Sequence, residues 1–396
     1  MKLVDVCAFY APKGGGVRTY VDRKLKAGAA MGHEVVVIAP GEEDRVEERG
    51  PNARIVWLKS TVFPLDFNYR YFSDAPALYE ALDREAPDMV EASSPWRSAS
   101  LVGEWRGTAP RALIMHADPL SAYAYRWFDG VAPRPVIDKA FDRYWRHLRR
   151  LDTQFDMIVS ASQGLSDRLT NGGLTGVVTN PMGVDPGVFS PAHRDERLRK
   201  GLLELCELPE DATLLIGVGR FAPEKRWPML VDAVTAAGTR RPVGLVLAGQ
   251  GRDHKAIERR IAGNPHIRIL APITDRAELA RVMASADALV HGCEAETFCM
   301  VAAEARASGL PLIAPDEGGA ADQARASAGW IYESANAAAA AETIVEYCIA
   351  RESGIDGPRA EIPSPRVMDD HFAELFASYE RLVRDNRSKP RPRRAA

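Results

Sequence analysis

The sequence predicts an α/β protein of two Rossmann-like, doubly wound domains that face a central cleft. Short apolar runs alternate with longer stretches of helical periodicity, which is typical of parallel sheets covered by helices. The pattern stops at residues 180–187, which are rich in turn-forming residues, and then starts again. The length of 396 residues also fits two domains. Ligands of such sheets bind at the carboxyl ends of the strands, so we expect the site there, in the cleft.

In the first half, the apolar run Lys2–Phe9 predicts a strand, followed by a glycine-rich turn and an amphipathic helix that ends at Met31. Glu34–Ile38 predicts the next strand. Further short apolar runs, each beside a helical pattern, predict strands at Met89–Glu91, Ala112–Met115 and Met157–Ser160.

The second half repeats this organisation after a hinge near residues 181–205. Its predicted strands are Thr213–Val218, Val243–Ala248, Ile267–Leu270, Ala288–Val290 and Pro311–Ala314. A final helix is predicted at His371–Val383. We therefore expect an N-terminal domain at 1–182, a C-terminal domain at 183–365, a helix crossing back to the first domain at 366–384, and a basic disordered tail at 385–396.

Composition excludes several classes of function. Lys and Arg total 51 against 54 Asp and Glu, and this net charge of −3 does not suggest a nucleic-acid partner. No apolar run reaches the roughly 18 residues of a spanning helix, and the N-terminus resembles a strand more than a signal peptide. The five cysteines form no CxxC pair, so neither a disulfide framework nor structural zinc is expected. A cytoplasmic protein fits these features.

Both halves open with a strand, glycines and an arginine, at Gly14–Arg18 and at Gly217–Arg220. Neither segment is a Walker loop, because no Gly-Lys-Ser/Thr follows, and neither is a full GxGxxG. Each is therefore either a phosphate-binding loop or only a tight turn between a strand and a helix.

The segment after the second of these loops adds charge. Arg220 can form a bidentate contact with a phosphate, and Lys225 adds a point charge. The alternative without a binding role is a surface turn in which Glu224 and Lys225 are solvated.

A second motif, Glu296–Glu304, places two carboxylates eight residues apart. If its second part is helical, the helix N-terminus directs backbone N–H groups at whatever Glu296 contacts. Carboxylate acceptors together with N–H donors suit a polyhydroxyl ligand. Two solvated glutamates around a capped helix would explain the motif equally well.

Taken together, the motifs resemble the GT-B glycosyltransferases, specifically retaining family 4 (group 1), and the resemblance covers nearly the whole chain. The motifs are, in chain order, Gly14–Gly16, Gly183-Val184-Asp185 with Phe189 and Pro191, Gly219-Arg220 with Glu224-Lys225, Gly249-Gln250-Gly251, Ala286-Asp287, the pair Glu296 and Glu304, and Ser308–Pro311. Their order and spacing match the family, although each motif alone is modest evidence.

The resemblance implies a role for each matched residue. Arg220 and Lys225 would neutralise the donor diphosphate and the leaving phosphate, and Glu304 would bind the ribose hydroxyls. Glu296 would hold the sugar hydroxyls, and His116 would lie beside the transferred sugar unless it is a structural histidine at a strand end. The implied catalytic residues are Arg220, Lys225, Glu296 and His116. The implied donor-binding residues are Gly15, Gly16, Gly219, Arg220, Lys225, Ile273, Phe298, Cys299, Met300, Val301 and Glu304.

The sequence departs from the family pattern at Cys299, where the family usually has glycine, and this puts the geometry at the sugar hydroxyls in doubt. The loop Leu270–Ile273 also lacks the glycine often found near the nucleobase.

No two aspartates stand two apart, so the metal-binding Asp-x-Asp motif is missing and we expect no metal and no cofactor. The co-substrate would be a nucleotide-diphosphate sugar. The family retains anomeric configuration by front-face attack, so Glu296 is not assigned as a nucleophile.

Residues 134–151 predict an amphipathic basic helix. Its apolar face carries Ile137, Phe141, Trp145 and Leu148, and the other face carries Lys139, Arg143, Arg146 and Arg150. The helix either packs on the first domain or anchors the protein on an anionic membrane beside a lipid acceptor. The basic tail would add electrostatic attraction or have no role. Weaker assignments to the acceptor side are Arg18, Asp118, Trp127 and Trp145.

These observations predict a cytoplasmic, metal-independent glycosyltransferase, peripheral at the inner face of the membrane if the anchor is real. It would move a hexose or hexuronic acid from a UDP or GDP sugar to a lipid, lipid-linked glycan or polysaccharide of the envelope. A glycosyl phosphorylase or nucleotide-sugar epimerase on the same fold is the first alternative. The alternatives without catalysis are a sugar-binding protein and an inactive transferase.

Overall fold

The computed structural model describes residues 1–11, 16–64, 69–116, 118, 120–125, 128, 131–354 and 362–388. The chain divides into two compact units. Unit 1 comprises Met1–Ala117, Gly130–Pro181 and Asp369–Ala396, and unit 2 comprises Asp118–Asp129 and Met182–Met368. The predicted boundary at 182/183 therefore lies at 181/182, and the segment 118–129, which we predicted as part of the first domain, groups with unit 2.

The strands of unit 1 are β1 (Lys2–Val6), β2 (Glu34–Gly41), β3 (Arg45–Gly50), β4 (Ala53–Lys59), β5 (Thr61–Val62), β6 (Arg70–Tyr71), β7 (Met89–Ala92), β8 (Arg111–Met115), β9 (Met157–Ser160) and β10 (Val177–Thr179). Its helices, apart from the last helix of the chain, are α1 (Gly16–Ala30), α2 (Ala75–Glu85), α3 (Arg97–Glu104), α4 (Arg134–Ala140), α5 (Asp142–Asp152) and α6 (Gln163–Asn171).

The main sheet of unit 1 has the order β10-β9-β8-β7-β1-β2-β4-β3. Every neighbouring pair is parallel except β3 with β4, which is antiparallel. The separate pair β5 and β6 is also antiparallel. Chain connections lead from β1 to β2 on one side and return through β7 on the other, so β1 and β7 form the topological switch point of the sheet.

Unit 2 contains the strands β11 (Thr213–Val218), β12 (Val243–Ala248), β13 (Ile267–Leu270), β14 (Ala288–Val290), β15 (Leu312–Pro315) and β16 (Trp330–Tyr332). Its helices are α7 (Glu196–Leu205), α8 (Trp227–Gly238), α9 (His254–Ile261), α10 (Arg276–Ser285), α11 (Met300–Ala307), α12 (Gly318–Arg325) and α13 (Ala337–Glu352). A π-helix at Leu120–Tyr125 and 3₁₀ turns at Pro191–His193 and Pro223–Lys225 complete its described elements.

The sheet of unit 2 is parallel, in the order β13-β12-β11-β14-β15-β16. Its switch point lies between β11 and β14. Successive residues of β11 enter different apolar clusters: Leu215 packs with α8 and α13, whereas Leu214 and Ile216 pack with α7, α10 and α11. This alternation follows from the two-residue repeat of a strand and gives the sheet a core on each face.

The last helix, α14 (Met368–Ser388), packs within unit 1. Phe376 lies against Gly28 of α1, where a Cβ would come within 2.8 Å of the ring. Tyr379 donates a hydrogen bond to Glu91 on β7 at 2.6 Å, and the Tyr20 hydroxyl lies 2.9 Å from His371 Nε2. The helix is longer than the predicted His371–Val383. It also includes 385–388, which we wrongly assigned to a disordered tail, while residues 389–396 lie outside the described residues.

The strands predicted from strand–helix alternation are present, five of them (β9 and β11 to β14) with the predicted ends and the others with shifted ends. β1 stops at Val6 instead of Phe9, and β2 continues to Gly41 instead of Ile38. The analysis missed β3 and β4 because no helix separates them from β2. It missed β10 and β16 because these short edge strands are mostly not buried and so need not carry a continuous apolar run. The predicted hinge 181–205 is also wrong at its end, since α7 begins at Glu196.

The predicted single helix over 134–151 is two helices, α4 and α5, which break at Phe141. Its apolar stripe is enclosed in unit 1, because Ile137, Trp145 and Leu148 are buried. A Cβ on Gly172 would come within 2.1 Å of the Trp145 ring, so the indole packs directly on that backbone. This favours the packing interpretation over insertion of the stripe into a membrane. No helix among the described residues is long and apolar enough to cross a bilayer.

Candidate functional site

The loop after β11 begins with a close backbone crossing. Gly219 has φ +150°, a conformation that favours glycine, and a Cβ on Gly249 would lie 1.9 Å from the Gly219 carbonyl oxygen. A Cβ on Gly251 would likewise lie 2.3 Å from the Phe221 carbonyl oxygen. These glycines let the loops after β11 and β12 pack together, which fixes the backbone that carries Arg220.

Arg220 presents its guanidinium to solvent from this fixed backbone. Its side chain is 73% exposed and donates to Glu224 at 2.9 Å. The carbonyl oxygen of Arg220 accepts a hydrogen bond of 2.9 Å from the indole of Trp227, a buried residue of α8. The main chain is therefore anchored while the charged group can exchange its partner.

Lys225 and Glu296 link the loops after β11 and β14, the two strands of the switch point. The Lys225 ammonium donates to Glu296 Oε1, and the two side chains are 15% and 24% exposed. Burial alone would lower the pKa of Lys225, but the charge of Glu296 outweighs it and raises that pKa. Burial would raise the pKa of Glu296, and the charge of Lys225 holds it below its usual value. Both groups are therefore ionised at neutral pH.

A second ion pair fixes the same two loops. Arg226 has φ +50° at the start of α8, and its Nε donates to Glu294 at 2.9 Å. Their side chains are 17% and 9% exposed. Arg226 directly follows Lys225, and Glu294 lies two residues before Glu296. This second ion pair therefore keeps the side chains of Lys225 and Glu296 close to one another.

The helix α11 starts at the same place. Cys299 precedes it with φ 64° and ψ 73°, so the chain turns sharply and the N–H groups of Met300 and Val301 lie in the first turn. Phe298 is buried against α12, where a Cβ on Gly319 would come within 2.5 Å of its backbone. The Gly319 N–H also donates to the Glu296 carbonyl oxygen at 2.7 Å. The N-terminus of α11 is thus held in the same loop as Glu296.

His291 follows β14 and lies within this group of side chains. Its Nε2 is 3.6 Å from Cys299 Sγ and 3.8 Å from Glu296 Oε1. Burial lowers the pKa of His291 to about 4, and the positive charge of Lys225 acts in the same direction. Burial raises the pKa of Cys299. The imidazole and the thiol are therefore neutral, and these three residues are candidate metal ligands.

Glu304, the second carboxylate of the motif, lies in α11 with its side chain only 8% exposed. Arg276 of α10 donates to Glu304 Oε1 at 2.8 Å, lies 3.5 Å from Asp185 Oδ2, and is stacked over the Phe189 ring. Ile273, in the loop between β13 and α10, is partly buried beside the cluster that contains Phe189. The structure thus brings the hinge motif and Glu304 together through Arg276.

The predicted residues of unit 1 occupy a different environment. His116 follows β8, and its ring lies edge-on to Tyr20 at 4.8 Å between centroids. Burial lowers the pKa of His116 to about 3, with smaller contributions from the charges of Lys24 and His371. His116 is therefore neutral at physiological pH and is a candidate hydrogen-bonding group.

The residues assigned more weakly to the acceptor side have different local surroundings. Arg18 lies on α1 with its Nε 3.5 Å from Asp22. Asp118 accepts bonds from the Leu120 and Ser121 N–H groups, so it caps the π-helix. Gly16 opens α1, whereas the predicted Gly15 and Trp127 lie outside the described residues. Trp145 is 8% exposed and packs within unit 1.

Two families match complementary parts of the chain. "Glycosyltransferase Family 4" matches residues 14–188, and "Glycosyl transferases group 1" matches residues 206–353. A "GDP-mannose-dependent alpha-mannosyltransferase" of Mycobacterium tuberculosis (strain CDC 1551 / Oshkosh) is 31% identical over 326 residues, covering 81% of each chain. This chain is a group 1 glycosyltransferase.

The enzyme also resembles a second mannosyltransferase and many solved structures. It is 30% identical over 317 residues to the "GDP-mannose-dependent alpha-(1-6)-phosphatidylinositol dimannoside mannosyltransferase" of M. tuberculosis (strain ATCC 25177 / H37Ra), covering 79% of each chain. The structure of sucrose-phosphate synthase from Thermosynechococcus elongatus matches with a TM-score of 0.73 at 20% identity, covering 97% of this chain and 100% of that one. The fold of the glycosyltransferase is GT-B, as predicted.

In this glycosyltransferase, the predicted Arg220, Lys225, Glu296 and the start of α11 lie around the switch point of unit 2. The structure adds residues that the sequence analysis missed: His291, Arg226, Glu294 and Arg276. His291 could have been noticed because it directly follows a predicted strand. The other three gave no local signal, since each belongs to the site only through a partner far away in sequence.

The chemistry available at this site is complementary to a nucleotide sugar. Arg220 and Lys225 carry positive charge suited to phosphates, and the first turn of α11 carries N–H donors. Glu296 and Glu304 are ionised or hydrogen-bonded acceptors suited to hydroxyl groups. Charge of both signs is thus arranged within one unit.

Proposed function

We propose that the enzyme transfers mannose from GDP-mannose to a glycolipid acceptor of the phosphatidylinositol class, with retention of configuration. The mycobacterial relatives support this donor, since their names specify GDP-mannose. Those names also specify an α-linked product, and GDP-mannose is itself an α-linked donor, so retention is the matching stereochemistry. The acceptor class rests on the relative named for phosphatidylinositol dimannoside.

The observation that carries the proposal is the pair of cations on the loop after β11. Arg220 is exposed and exchangeable, and Lys225 is held on Glu296 beside the N-terminus of α11. In the proposed reaction the GDP diphosphate lies against these groups, and its second phosphate gains charge as the sugar departs. Fixed cations that meet this developing charge stabilise the transition state. In this proposal they act without a metal ion.

The carboxylates bind the hydroxyl groups of the donor. Glu296 and the first N–H groups of α11 contact the sugar, and Glu304 accepts hydrogen bonds from the ribose. Arg276 already donates to Glu304 Oε1, so it either shares that carboxylate with the ribose or moves aside when GDP-mannose binds. Glu296 is not a nucleophile in this proposal, because its Oε1 is neutralised by Lys225.

The transfer step is a front-face substitution. The bond between the anomeric carbon and the leaving phosphate oxygen breaks, and the acceptor hydroxyl oxygen forms the new bond on the same face. The acceptor proton passes to the departing phosphate oxygen, so GDP leaves with it and no protein base is required. A glycosyl phosphorylase would instead require inorganic phosphate, and a nucleotide-sugar epimerase would convert the sugar without an acceptor.

A lipid acceptor requires access to a membrane surface. The apolar stripe of α4 and α5 is buried, so insertion of that stripe does not supply the access. Arg146 and Arg150 are instead 68% and 64% exposed on α5. We propose a weak electrostatic association through this face, which anionic vesicles would detect at low salt and lose at high salt.

A thermal-shift panel with GDP, UDP and ADP tests the donor site. GDP at about 100 times its dissociation constant should stabilise the protein by about 2.7 kcal/mol, whereas UDP and ADP should have much less effect. Arg220→Ala should lose most of the GDP shift. Arg240→Ala is the matched control, because Arg240 also forms an exposed ion pair in unit 2, with Glu342. A shift with UDP instead of GDP would overturn the donor assignment.

The transfer itself is tested with GDP-mannose and phosphatidylinositol mannosides. We expect GDP release that depends on the acceptor, and an α-linked product by NMR. Arg220→Ala should lower turnover by at least about 100-fold, as expected for the loss of one charge contact in the transition state. Phosphate-dependent turnover, or conversion of the sugar without acceptor, would instead indicate the phosphorylase or epimerase.

A further inference from the structure

Three potential metal ligands converge beside the start of α11. His291 Nε2, a Glu296 carboxylate oxygen and Cys299 Sγ all lie within 4.8 Å of one another. His291 and Cys299 are each 2% exposed, whereas the Glu296 side chain is 24% exposed. The group is therefore enclosed on its imidazole and thiol side and accessible from the carboxylate side.

Two of the three ligand separations are close to those of a tetrahedral ion. Bond lengths of about 2.3 Å to sulfur and about 2.1 Å to nitrogen or oxygen imply ligand separations near 3.6 Å for sulfur–nitrogen and about 3.4 Å for nitrogen–oxygen. The observed distances are 3.6 Å between Cys299 Sγ and His291 Nε2 and 3.8 Å between His291 Nε2 and Glu296 Oε1. Cys299 Sγ and the Glu296 carboxylate lie within 4.8 Å of one another, against about 3.6 Å in a tetrahedral site, so the partly exposed carboxylate closes the site when an ion binds.

The backbone presets this geometry. Cys299 has a left-handed backbone with φ 64°, and its Sγ lies 3.6 Å from the ring of His291, which directly follows β14. The main chain of His291 is also held in place, because the Tyr332 hydroxyl donates to the His291 carbonyl oxygen at 2.5 Å. Two of the three ligands are therefore already ordered, so they lose little conformational entropy when an ion binds.

The ligand types select the ion. A thiol, an imidazole and a carboxylate suit Zn²⁺ and its spectroscopic substitute Co²⁺, whereas Mg²⁺ and Ca²⁺ require oxygen ligands. Three protein ligands leave a fourth position open for water or for an oxygen of a ligand. The site is thus suited to a thiophilic divalent cation.

We propose that His291, Glu296 and Cys299 bind Zn²⁺ and that this ion competes with the nucleotide sugar. The competition rests on the proposed function, because Glu296 is the residue that we assign to the sugar hydroxyls. The ion is an inhibitor here and takes no part in the transfer step. It joins the Glu296 carboxylate to the His291 imidazole and the Cys299 sulfur, which removes that carboxylate from donor binding.

Lys225 is the internal competitor of the ion. Its ammonium donates to Glu296 Oε1, the oxygen that lies 3.8 Å from His291 Nε2. The ion must therefore displace this ammonium from Oε1 or bind the carboxylate beside it, and two cations close together repel one another. Lys225→Met should consequently bind the metal more tightly than the wild-type enzyme does.

Titration of the metal-stripped full-length enzyme with Co²⁺ tests binding without donor or acceptor. We expect intense visible bands of tetrahedral Co²⁺ together with a near-ultraviolet thiolate-to-cobalt charge-transfer band, both displaced by Zn²⁺. Cys299→Ser should abolish the charge-transfer band, and His291→Gln should weaken binding at least about tenfold. Cys206→Ser is the matched control, since Cys206 is another buried free cysteine of unit 2. Thermal melts of each variant establish that it is folded.

A competition experiment separates this proposal from the proposed function. GDP-mannose should raise the apparent dissociation constant of Co²⁺ in the wild-type enzyme, and Zn²⁺ should raise KM for GDP-mannose while leaving kcat unchanged. No charge-transfer band in the wild type, or the same band in Cys299→Ser, would overturn the metal site whatever the donor is. A normal band that neither GDP-mannose nor UDP-sugars displace would overturn the competition and leave the metal site standing.

Discussion

Each unit carries a lysine–carboxylate cluster at the switch point of its sheet, and the two clusters serve different purposes. In unit 1, Lys24 of α1 contacts Asp5 on β1 and Glu91 on β7. In unit 2, Lys225 contacts Glu296, and these residues follow β11 and β14. The pairs of strands are topologically equivalent, so the contrast comes from where along the strands the charges lie.

The cluster of unit 1 lies within the strands and is closed. Asp5 and Glu91 are register partners on adjacent strands, and both carboxylates and Lys24 are 0% exposed. Ser93 donates to Asp5 at 2.7 Å and Tyr379 donates to Glu91 at 2.6 Å. Burial raises the pKa of Asp5 to about 6, against the opposing charge of Lys24. Each charged group of this cluster therefore has its partners within the protein, and one of these partners, Tyr379, belongs to α14.

The cluster of unit 2 lies beyond the strand ends and is open. Water reaches Lys225 and Glu296, and the N-terminus of α11 lies in the same loop as Glu296. The comparison teaches that the same pairing stabilises the fold where it is enclosed and is available to a ligand where it is accessible. Substitutions of Lys24 and Lys225 test this distinction, and two substitutions of Cys299 test the backbone of the open loop.

The largest effect should follow Lys24→Met. It leaves two adjacent carboxylates buried without their cation, and breaking a buried ion pair in this way costs about 3–5 kcal/mol. We expect the free energy of unfolding, measured by urea denaturation, to fall by that amount. Lys26→Met on the same helix is the control, because Lys26 is exposed. Equal stability of the two variants would show that the enclosed cluster is not structural.

Lys225→Met is the equivalent change in the open cluster. Because Lys225 and Glu296 are 15% and 24% exposed and water reaches the carboxylate that remains, we expect the free energy of unfolding to fall by less than it does for Lys24→Met. Turnover should fall about 100-fold or more, since the leaving phosphate loses a cation. Urea denaturation and acceptor-dependent GDP release measure the two effects. A large loss of stability with unchanged turnover would reverse the roles of the two clusters.

The smallest effect concerns Cys299, whose backbone is in the left-handed region. That conformation costs a non-glycine residue about 1–2 kcal/mol, and glycine avoids the cost. Cys299→Gly and Cys299→Ala both remove the sulfur, but only alanine retains the strain. We expect the glycine variant to be more stable than the alanine variant by about 1 kcal/mol in urea denaturation. The reverse order would mean that the loop is not strained at this position.

Sequence reasoning predicted the parts of the molecule that depend on local pattern. Alternating apolar runs and helical periods predicted the two parallel sheets, and glycines with nearby charges predicted the loops after β11 and β14. It failed for β3 and β4, because β3 pairs antiparallel with β4 and no helix lies between them. It left the apolar stripe of α4 and α5 undecided between packing and membrane insertion, because an amphipathic face looks the same whether protein or membrane covers it.

The sequence alone therefore determined the fold class, the glycosyltransferase family and the charged residues around the switch point of unit 2. These properties follow from periodicity and from motifs whose members are close together along the chain. Only the tertiary structure decided which charges meet. Lys24 lies between Asp5 and Glu91 because β1 and β7 are neighbours in the sheet, and Arg276 lies on Glu304 because α10 packs beside α11. His291 lies beside Cys299 because the chain after β14 folds back on itself. Burial then sets whether such a contact is structural or open to a ligand, and burial is a property of the packed chain.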